Sequence, residues 1–245
     1  MSGIASRLLV IVIVGALGLV RTDEIAAQTV VYTSDFNGGV GSEWGAPVVD
    51  PENPTGQAPT ATSPSGEKFL GQLGNAQGRQ WATLSLNGLP AHDILRVTFD
   101  LYVIGSWDGE STLNGPDYFQ VQGGAFLATF SNHAPTAGFG AGEQSFPTPG
   151  SPAQTGAAAA GTLGYPLVGE AVVGDTIYHL SVEFPHAGGS LALSFEAGLQ
   201  QALSDESWGL DNVQVTVERA PNFNGTCPAA IDAGAVPFGG TFLLL

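Results

Sequence analysis

Acidic and amide side chains close to the first and the last predicted strands could hold a calcium ion. Asp35 and Asn37 follow a short β-branched run, and Asp211 is in phase with Val213 in a later apolar run. This phase predicts that the Asp211 carboxylate points toward the core, where a buried charge needs a partner. Calcium takes about six to eight oxygen ligands, so we expect a structural calcium site of Asp35, Asn37 and Asp211 where the first and last strands meet. In the alternative interpretation, Asp35 caps a turn and Asp211 accepts backbone N–H groups.

The loop after Trp107 is a second candidate for cation binding. Its oxygen ligands would be Asp108, Glu110, Asn114 and Asp117. The spacing differs from that of an EF-hand, because Thr112 and Leu113 stand where a ligand and the obligatory glycine would be. A solvated acidic loop with no bound ion is the alternative.

Two tryptophans, Trp107 and Trp208, lie close in sequence to acidic turn residues. This position predicts that both indoles lie at the edge of the domain, where an aromatic face could stack on a sugar ring. A sandwich core also needs large aromatic side chains, so burial in the core is the alternative for both residues.

Residue patterns typical of enzymes are weak in this sequence. Asp108 with Glu110, or Asp205 with Glu206, could form a glycosidase pair of carboxylates. The Glu-x-Asp-x-Glu strand pattern of concanavalin-type glucanases is absent, however, and so is the Gly-x-Ser-x-Gly nucleophile elbow. The four histidines show no metal-ligand spacing. We therefore expect a protein that is not an enzyme, with glycoside hydrolysis as the third alternative after binding and structural roles.

The elements that position these side chains are predicted to be β-strands. In residues 94–121, apolar and polar side chains alternate on both sides of a loop that follows Gly105, which is typical of half-buried strands. Glycine (35) and proline (16) are frequent, as in proteins with many turns. We expect an all-β fold, an antiparallel two-sheet jelly-roll sandwich of about 10 to 14 strands with the first and last strands adjacent. Residues 132–164, rich in Gly, Ala, Pro, Ser and Thr, are interpreted as a long surface excursion.

The two ends of the sequence differ from its middle. Residues 1–27 are predicted to be a signal peptide, because an apolar run of 13 residues leads to small residues ending at Ala27. An uncleaved anchor is the alternative. Residues 28–220 are predicted to form the sandwich, and residues 221–245 a linker and the truncated start of a further unit. We therefore expect a secreted or cell-surface protein that does not insert into a membrane after signal cleavage.

The net charge limits which classes of molecule the protein is expected to bind, and the cysteine count limits which disulfide bonds it can form. The chain has 22 acidic and 6 basic residues, a net charge of −16. Such a surface repels nucleic acid and anionic membranes, so neither is an expected partner, and it attracts divalent cations. Cys227 is the only cysteine, which excludes a disulfide bond within the chain.

Five short motifs resemble those of secreted bacterial proteins with a concanavalin/lectin-like jelly-roll domain. They are Ser-Asp-Phe-Asn-Gly-Gly (34–39), Leu-Pro-Ala-His (89–92), Ser-Trp-Asp-Gly (106–109), Gly-Pro-Asp-Tyr-Phe (115–119) and Glu-Ser-Trp-Gly-Leu-Asp-Asn-Val (206–213). In the wider jelly-roll group, which includes many carbohydrate-binding modules, calcium often lies between a first strand reading Phe-Glu and a last strand reading Asp-Asn-Val. Here Asn37 follows Phe36 in place of the glutamate. The resemblance implies a calcium-stabilised module that binds glycan or another cell-surface component, with a purely structural or adhesion spacer as the alternative.

Overall fold

The computed structural model of the protein describes residues 28–46, 58–74, 79–121 and 125–219. The predicted signal peptide and the C-terminal segment 221–245, with Cys227, lie outside these residues. Within them, no helix has the length and apolar character needed to cross a membrane, and a 3₁₀ turn at Gly138–Gly140 accompanies the strands. The strands are β1 (Gln28–Ser34), β2 (Trp44–Gly45), β3 (Thr60–Thr62), β4 (Lys68–Leu73), β5 (Arg79–Asn87), β6 (Ile94–Gly105), β7 (Tyr118–Val121), β8 (Phe126–Thr129), β9 (Glu143–Gln144), β10 (Ser151–Pro152), β11 (Ala159–Ala160), β12 (Asp175–Pro185), β13 (Ser190–Gly198) and β14 (Glu206–Glu218).

The strands form two main antiparallel sheets. Seven strands form the larger sheet in the order β11-β12-β6-β14-β4-β3, with β1 also paired to β14. Five strands form the smaller sheet in the order β2-β5-β13-β7-β8, and β9 pairs with β10 alone. The first and last strands are paired from Gln28 opposite Glu218 to Ser34 opposite Val213. The predicted all-β, antiparallel two-sheet sandwich is therefore confirmed.

The core lies between the two sheets and is filled by the alternate apolar residues of each strand. Aromatic side chains from both sheets meet in it. The rings of Phe99 on β6 and Phe195 on β13 lie 5.3 Å apart, and those of Phe119 on β7 and Trp208 on β14 also lie 5.3 Å apart. Burial of one large apolar side chain contributes about 1.5–3 kcal/mol, so this contact layer holds the sheets together.

A β-bulge in β14 reverses the predicted direction of Asp211. Between Asp211 and Gln214, β14 has one more residue than its partner β6. Asn212 accommodates the extra residue with a φ of 48°. Leu210 and Val213 both face the core, so Asp211 faces the outer side of the sheet. The prediction that Asp211 points toward the core is wrong, because the bulge shifts the alternation of the strand by one residue.

Residues 132–164 run mostly outside the two sheets and are held by buried polar side chains. The Asn132 amide donates to the Gly105 carbonyl at 2.8 Å. The Gln144 amide donates to the Phe146 carbonyl at 2.6 Å. Both side chains are fully buried. These hydrogen bonds anchor a segment whose composition offers few apolar contacts.

A small apolar cluster covers part of the outer side of the larger sheet. Its buried members are Phe69, Tyr102, Ile104 and Leu163. The Phe69 ring lies 5.2 Å from the Tyr102 ring and packs over Gly209 of the neighbouring strand. A Cβ atom at Gly209 would lie only 2.3 Å from the Phe69 ring. The glycine in the middle of β14 therefore provides the space for this aromatic ring.

We expect Gly209→Ala to lower the free energy of unfolding by about 1–3 kcal/mol, the usual cost of overpacking a buried site. Urea denaturation of the full chain measures the change. Gly189→Ala is the matched control, because a methyl group there meets no atom within 4 Å. Equal stability of the two variants would contradict this account of the Phe69 contact.

Candidate functional site

Three buried carboxylates come together at one end of the sandwich. Asp108 lies in the loop after β6, Asp117 directly precedes β7, and Glu206 begins β14. Their exposed fractions are 4%, 0% and 0%, and one oxygen of each lies within 4.8 Å of the others. We call this group the carboxylate triad. Because β7 and β14 belong to different sheets, the triad connects the two sheets.

Backbone contacts fix the loop that positions Asp108. The Asp117 N–H donates to the Gly109 carbonyl at 3.0 Å, and the Asp108 backbone forms a β-bridge with Ser131. Gly109 has a φ of 57°, and a Cβ atom there would lie 2.1 Å from the Glu143 carbonyl oxygen. Only glycine fits this turn, so the direction of the neighbouring Asp108 is set by the backbone.

Each carboxylate of the triad has at least one oxygen that accepts a hydrogen bond from the chain. Asp108 accepts a hydrogen bond from the Gln201 side-chain amide at 2.8 Å and lies 3.2 Å from His133 Nε2. Asp117 Oδ2 accepts the Asp108 N–H, and Glu206 Oε2 accepts the Gln201 N–H at 3.1 Å. Asp117 Oδ1 and Glu206 Oε1 are buried and have no hydrogen-bond donor among the described residues. An unpaired carboxylate oxygen in the interior is unfavourable, so these two atoms need either a shared proton or a positive charge beside them.

Burial raises the pKa of Asp117 and of Glu206 above the usual range of a carboxyl group. For Glu206, the negative charge of Asp117 raises the pKa further. The hydrogen bond to Asp108 raises the pKa of His133. Burial and the mutual repulsion of the carboxylates therefore favour the protonated acids at Asp117 and Glu206, whereas the positive charge of a protonated His133 is stabilised beside Asp108.

The structure brings together two of the four residues predicted for the second cation site. The four residues were Asp108, Glu110, Asn114 and Asp117. The first and the last belong to the triad, whereas Asn114 is exposed and Glu110 is half-buried outside it. Glu206 completes the triad and was missed as a cation ligand. It arrives through the pairing of β14 with β6, which places it opposite Gly105, and no local sequence signal reveals that pairing.

The two carboxylates of the first predicted calcium site, Asp35 and Asp211, are each held by local hydrogen bonds. Asp35 is exposed and accepts the Asn37 N–H at 3.1 Å, as in an Asx turn. Asp211 accepts the Tyr102 hydroxyl at 2.7 Å and the Asn212 N–H at 2.8 Å. Asp35 and Asp211 line different cavities, of about 580 and 350 Å³. These are the hydrogen bonds of the alternative interpretation, and the calcium site of Asp35, Asn37 and Asp211 stays a prediction.

Trp107 and Trp208 are both 0% exposed. The Trp107 indole N–H donates to the Ser207 carbonyl at 2.9 Å, and the Trp208 ring packs against Phe119 in the core. The prediction that these indoles lie at the edge and stack on a sugar is wrong, because core side chains cover both of them.

Aromatic side chains are presented instead on the outer side of the smaller sheet. Trp81 on β5 is 39% exposed. It lies in one row with Glu196, Gln120 and Leu127 on the next three strands. The Gln120 side-chain amide donates to the Glu196 carboxylate at 2.6 Å. Polar and aromatic groups thus stand side by side on this surface.

Tyr118 lies in the neighbouring row, opposite Gly198. A Cβ atom at Gly198 would lie 2.3 Å from the Tyr118 ring, so the ring lies across the glycine. We call the surface formed by Trp81, Tyr118, Gln120 and Glu196 the aromatic face.

The outer side of the larger sheet holds a polar cavity of about 350 Å³, lined by Asp100, Tyr102, His179 and Asp211 among others. The Asp100 carboxylate forms a hydrogen bond with His179 Nδ1 and accepts the Asn212 amide at 2.8 Å. Burial raises the pKa of Asp211 to about 6, against the lowering effect of its Tyr102 hydrogen bond. This carboxyl group therefore titrates about two pH units above an ordinary aspartate.

Comparison with known proteins gives remote resemblances. No protein-family model matches the sequence, and no curated protein matches it. Among solved structures, the protein is similar to the CBM22-1 xylan-binding domain of Xyn10C from Paenibacillus barcinonensis, with 13% identity, coverage of 80% of this chain and 99% of that chain, and a TM-score of 0.37. It is also similar to the K3 cleaved adhesin domain of Lys-gingipain from Porphyromonas gingivalis, with 18% identity, coverage of 77% and 99%, and a TM-score of 0.36. What this protein binds has to be inferred from its own side chains.

The raised pKa of Asp211 predicts how stability changes with pH. An aspartate in the unfolded chain has a pKa of about 3.9, and in the folded protein the pKa is about 6. Between these values the folded protein retains a proton that the unfolded chain has lost. The contribution of Asp211 to stability is therefore highest below about pH 4 and is lost as the pH rises to about 6. An asparagine does not titrate. We therefore expect the free energy of unfolding of Asp211→Asn, relative to that of the wild type, to rise by about 2–3 kcal/mol from about pH 4 to about pH 7.

Urea denaturation of both proteins at about pH 4, 5, 6 and 7 measures this change. Asp35→Asn is the control, because a hydrogen bond to Asn37 lowers the pKa of Asp35, whereas the pKa of Asp211 is raised. It should show no gain over the wild type as the pH rises. A difference between Asp211→Asn and the wild type that stays constant across this range would contradict the prediction.

Proposed function

We propose that this protein is a secreted, non-catalytic β-sandwich module that binds a neutral polysaccharide outside the cell. The aromatic face supports the proposal most directly, because Trp81 is exposed there in one row with polar side chains. Aromatic rings offer an apolar surface to the C–H groups of a sugar ring. Neighbouring amide and carboxylate groups offer hydrogen-bond partners to its hydroxyl groups.

The spacing of the two aromatic residues favours a ligand longer than one sugar. Trp81 and Tyr118 lie two strands apart and two residues apart along the strand direction. Neighbouring strands are about 4.8 Å apart and alternate residues about 7 Å apart, which places the two α-carbons about 12 Å from each other. A single pyranose ring does not span this distance, so we propose an oligosaccharide or polysaccharide chain.

The charge of the protein favours a neutral ligand. The chain has a net charge of −16, and Glu196 lies within the aromatic face itself. Like charges repel over the distances at which a polymer approaches a surface, which disfavours anionic polysaccharides as well as nucleic acid. An apolar run followed by small residues before position 28 supports secretion.

Substitutions in the aromatic face are expected to weaken glycan binding. Trp81→Ala and Tyr118→Ala should each reduce affinity about five- to tenfold, because one stacked ring contributes about 1–1.5 kcal/mol. A glycan array identifies the ligand, and calorimetry with that ligand gives the affinities. Phe139→Ala is the matched control, since Phe139 is 73% exposed but lies in the 3₁₀ turn outside both sheets.

Gly198→Ala changes the same surface without removing an aromatic ring. The added methyl group displaces the Tyr118 ring, so we expect a loss of affinity similar to that of Tyr118→Ala. Affinities of all three variants equal to the wild type would contradict the proposed face. A wild-type protein that binds no glycan on the array would leave a structural or adhesion spacer as its function.

A further inference from the structure

We infer that Asp108, Asp117 and Glu206 bind a divalent cation, and that calcium is the ion that fits them best. The site differs from both cation sites predicted from the sequence, because Glu206 takes the place of Glu110 and Asn114. It lies within one end of the sandwich and is independent of the glycan binding proposed for the aromatic face.

The distances within the carboxylate triad suit a shared ion. One oxygen of each carboxylate lies within 4.8 Å of the other two. A calcium ion bound at about 2.3–2.6 Å from each oxygen holds any two of them no more than about 5 Å apart. The three carboxylates are therefore close enough together to share one ion.

The interior around the triad favours a positive charge. Within the described part of the chain, the only basic side chain in ion-pair contact with the triad is His133, 3.2 Å from Asp108. Asp117 Oδ1 and Glu206 Oε1 are buried and have no donor among those residues. Buried carboxylates need a cation or hydrogen-bond donors, and one bound ion would satisfy both oxygens at once.

The chain already orients the ligands. Asp117 and Glu206 are each held through one oxygen by a backbone N–H group, from Asp108 and Gln201 respectively. Asp108 is held by the Gln201 side-chain amide. Because these hydrogen bonds fix the side-chain rotamers before an ion binds, little side-chain conformational entropy is lost on binding.

Solvent can approach the triad from the side of Asp108. Asp108, but neither Asp117 nor Glu206, lines a cavity of about 200 Å³ together with Ser111 and Gln201. A water molecule takes about 30 Å³ of liquid volume, so this cavity has room for several. Calcium needs about six to eight oxygen ligands, and the triad with water provides an all-oxygen set suited to a hard cation.

A proton shared by Asp117 and Glu206 is the competing explanation of the two unpaired oxygens. Burial raises the pKa of both groups, so one protonated carboxyl group would donate to the other. The two explanations differ in what calcium does. A shared proton leaves the protein indifferent to calcium, whereas a cation site makes its stability depend on the ion.

The decisive experiment is calorimetric titration of calcium into the full chain, stripped with EDTA, at about pH 7.5. We expect one ion to bind per chain and the melting temperature to rise with calcium. Glu206→Gln and Asp117→Asn should each weaken binding at least about tenfold, because each removes one of three charged ligands. Glu110→Gln, the same change in the same region but outside the triad, should bind calcium as the wild type does.

Terbium luminescence gives a second readout that depends on position. Tb³⁺ occupies calcium sites and is excited by energy transfer from a nearby indole, and Trp107 adjoins Asp108 in the chain. We expect terbium emission on tryptophan excitation in the wild type, its displacement by calcium, and its loss in a Glu206→Gln variant with an unchanged circular dichroism spectrum.

Absence of calcium uptake by the wild type would overturn the inference. Coinciding melting curves with and without calcium, together with a Glu206→Gln variant as stable as the wild type, would identify the shared proton instead. Calcium uptake that survives both triad substitutions but is lost in Asp35→Asn would place the ion near the first strand and equally overturn the assignment.

Discussion

The pairing of β14 with β6 is the interaction on which the rest of the structure depends. It runs along nearly the whole sandwich, from Glu206 opposite Gly105 to Glu218 opposite Ile94. Since β6 also pairs with β12, and β14 also pairs with β1 and β4, these two strands form the centre of the larger sheet. The same pairing brings the start of β14 to the loop after β6, and so places Glu206 beside Asp108 and Asp117 in a group of three buried carboxylates.

Because side chains alternate between the two sides of each strand, the apolar, acidic and aromatic residues lie on different faces of the sheets. Inward positions make the core, outward positions of the larger sheet carry Asp100 and Asp211, and outward positions of the smaller sheet carry Trp81. A single inserted residue therefore has a large effect. The bulge at Asn212 moves Asp211 from the core side to the outer side, while the apolar residues on either side of it remain in the core.

Much of the fold could be predicted from the sequence, because each strand buries one face and its apolar residues alternate accordingly. The same reasoning applied to β5 places Trp81 on the side opposite the apolar residues of that strand, so the outward direction of Trp81 could be predicted, but not which residues of β13 and β7 lie beside it. The bulge and the meeting of Glu206 with Asp108 were not readable, since both depend on the register between distant strands. The burial of Trp107 and Trp208 was missed because acidic neighbours suggested an edge, yet those acidic residues are themselves buried.

The strands at the edges of the two sheets are short. β11 and β3 have two and three residues, and β2 and β8 have two and four. The longer β1 is interrupted by an irregularity between Val30 and Tyr32. Unbroken edge strands offer rows of N–H and C=O groups to which another molecule can add a strand. Copies of this protein crowded side by side therefore have little backbone through which their sheets could fuse, and they are expected to remain separate at high local concentration.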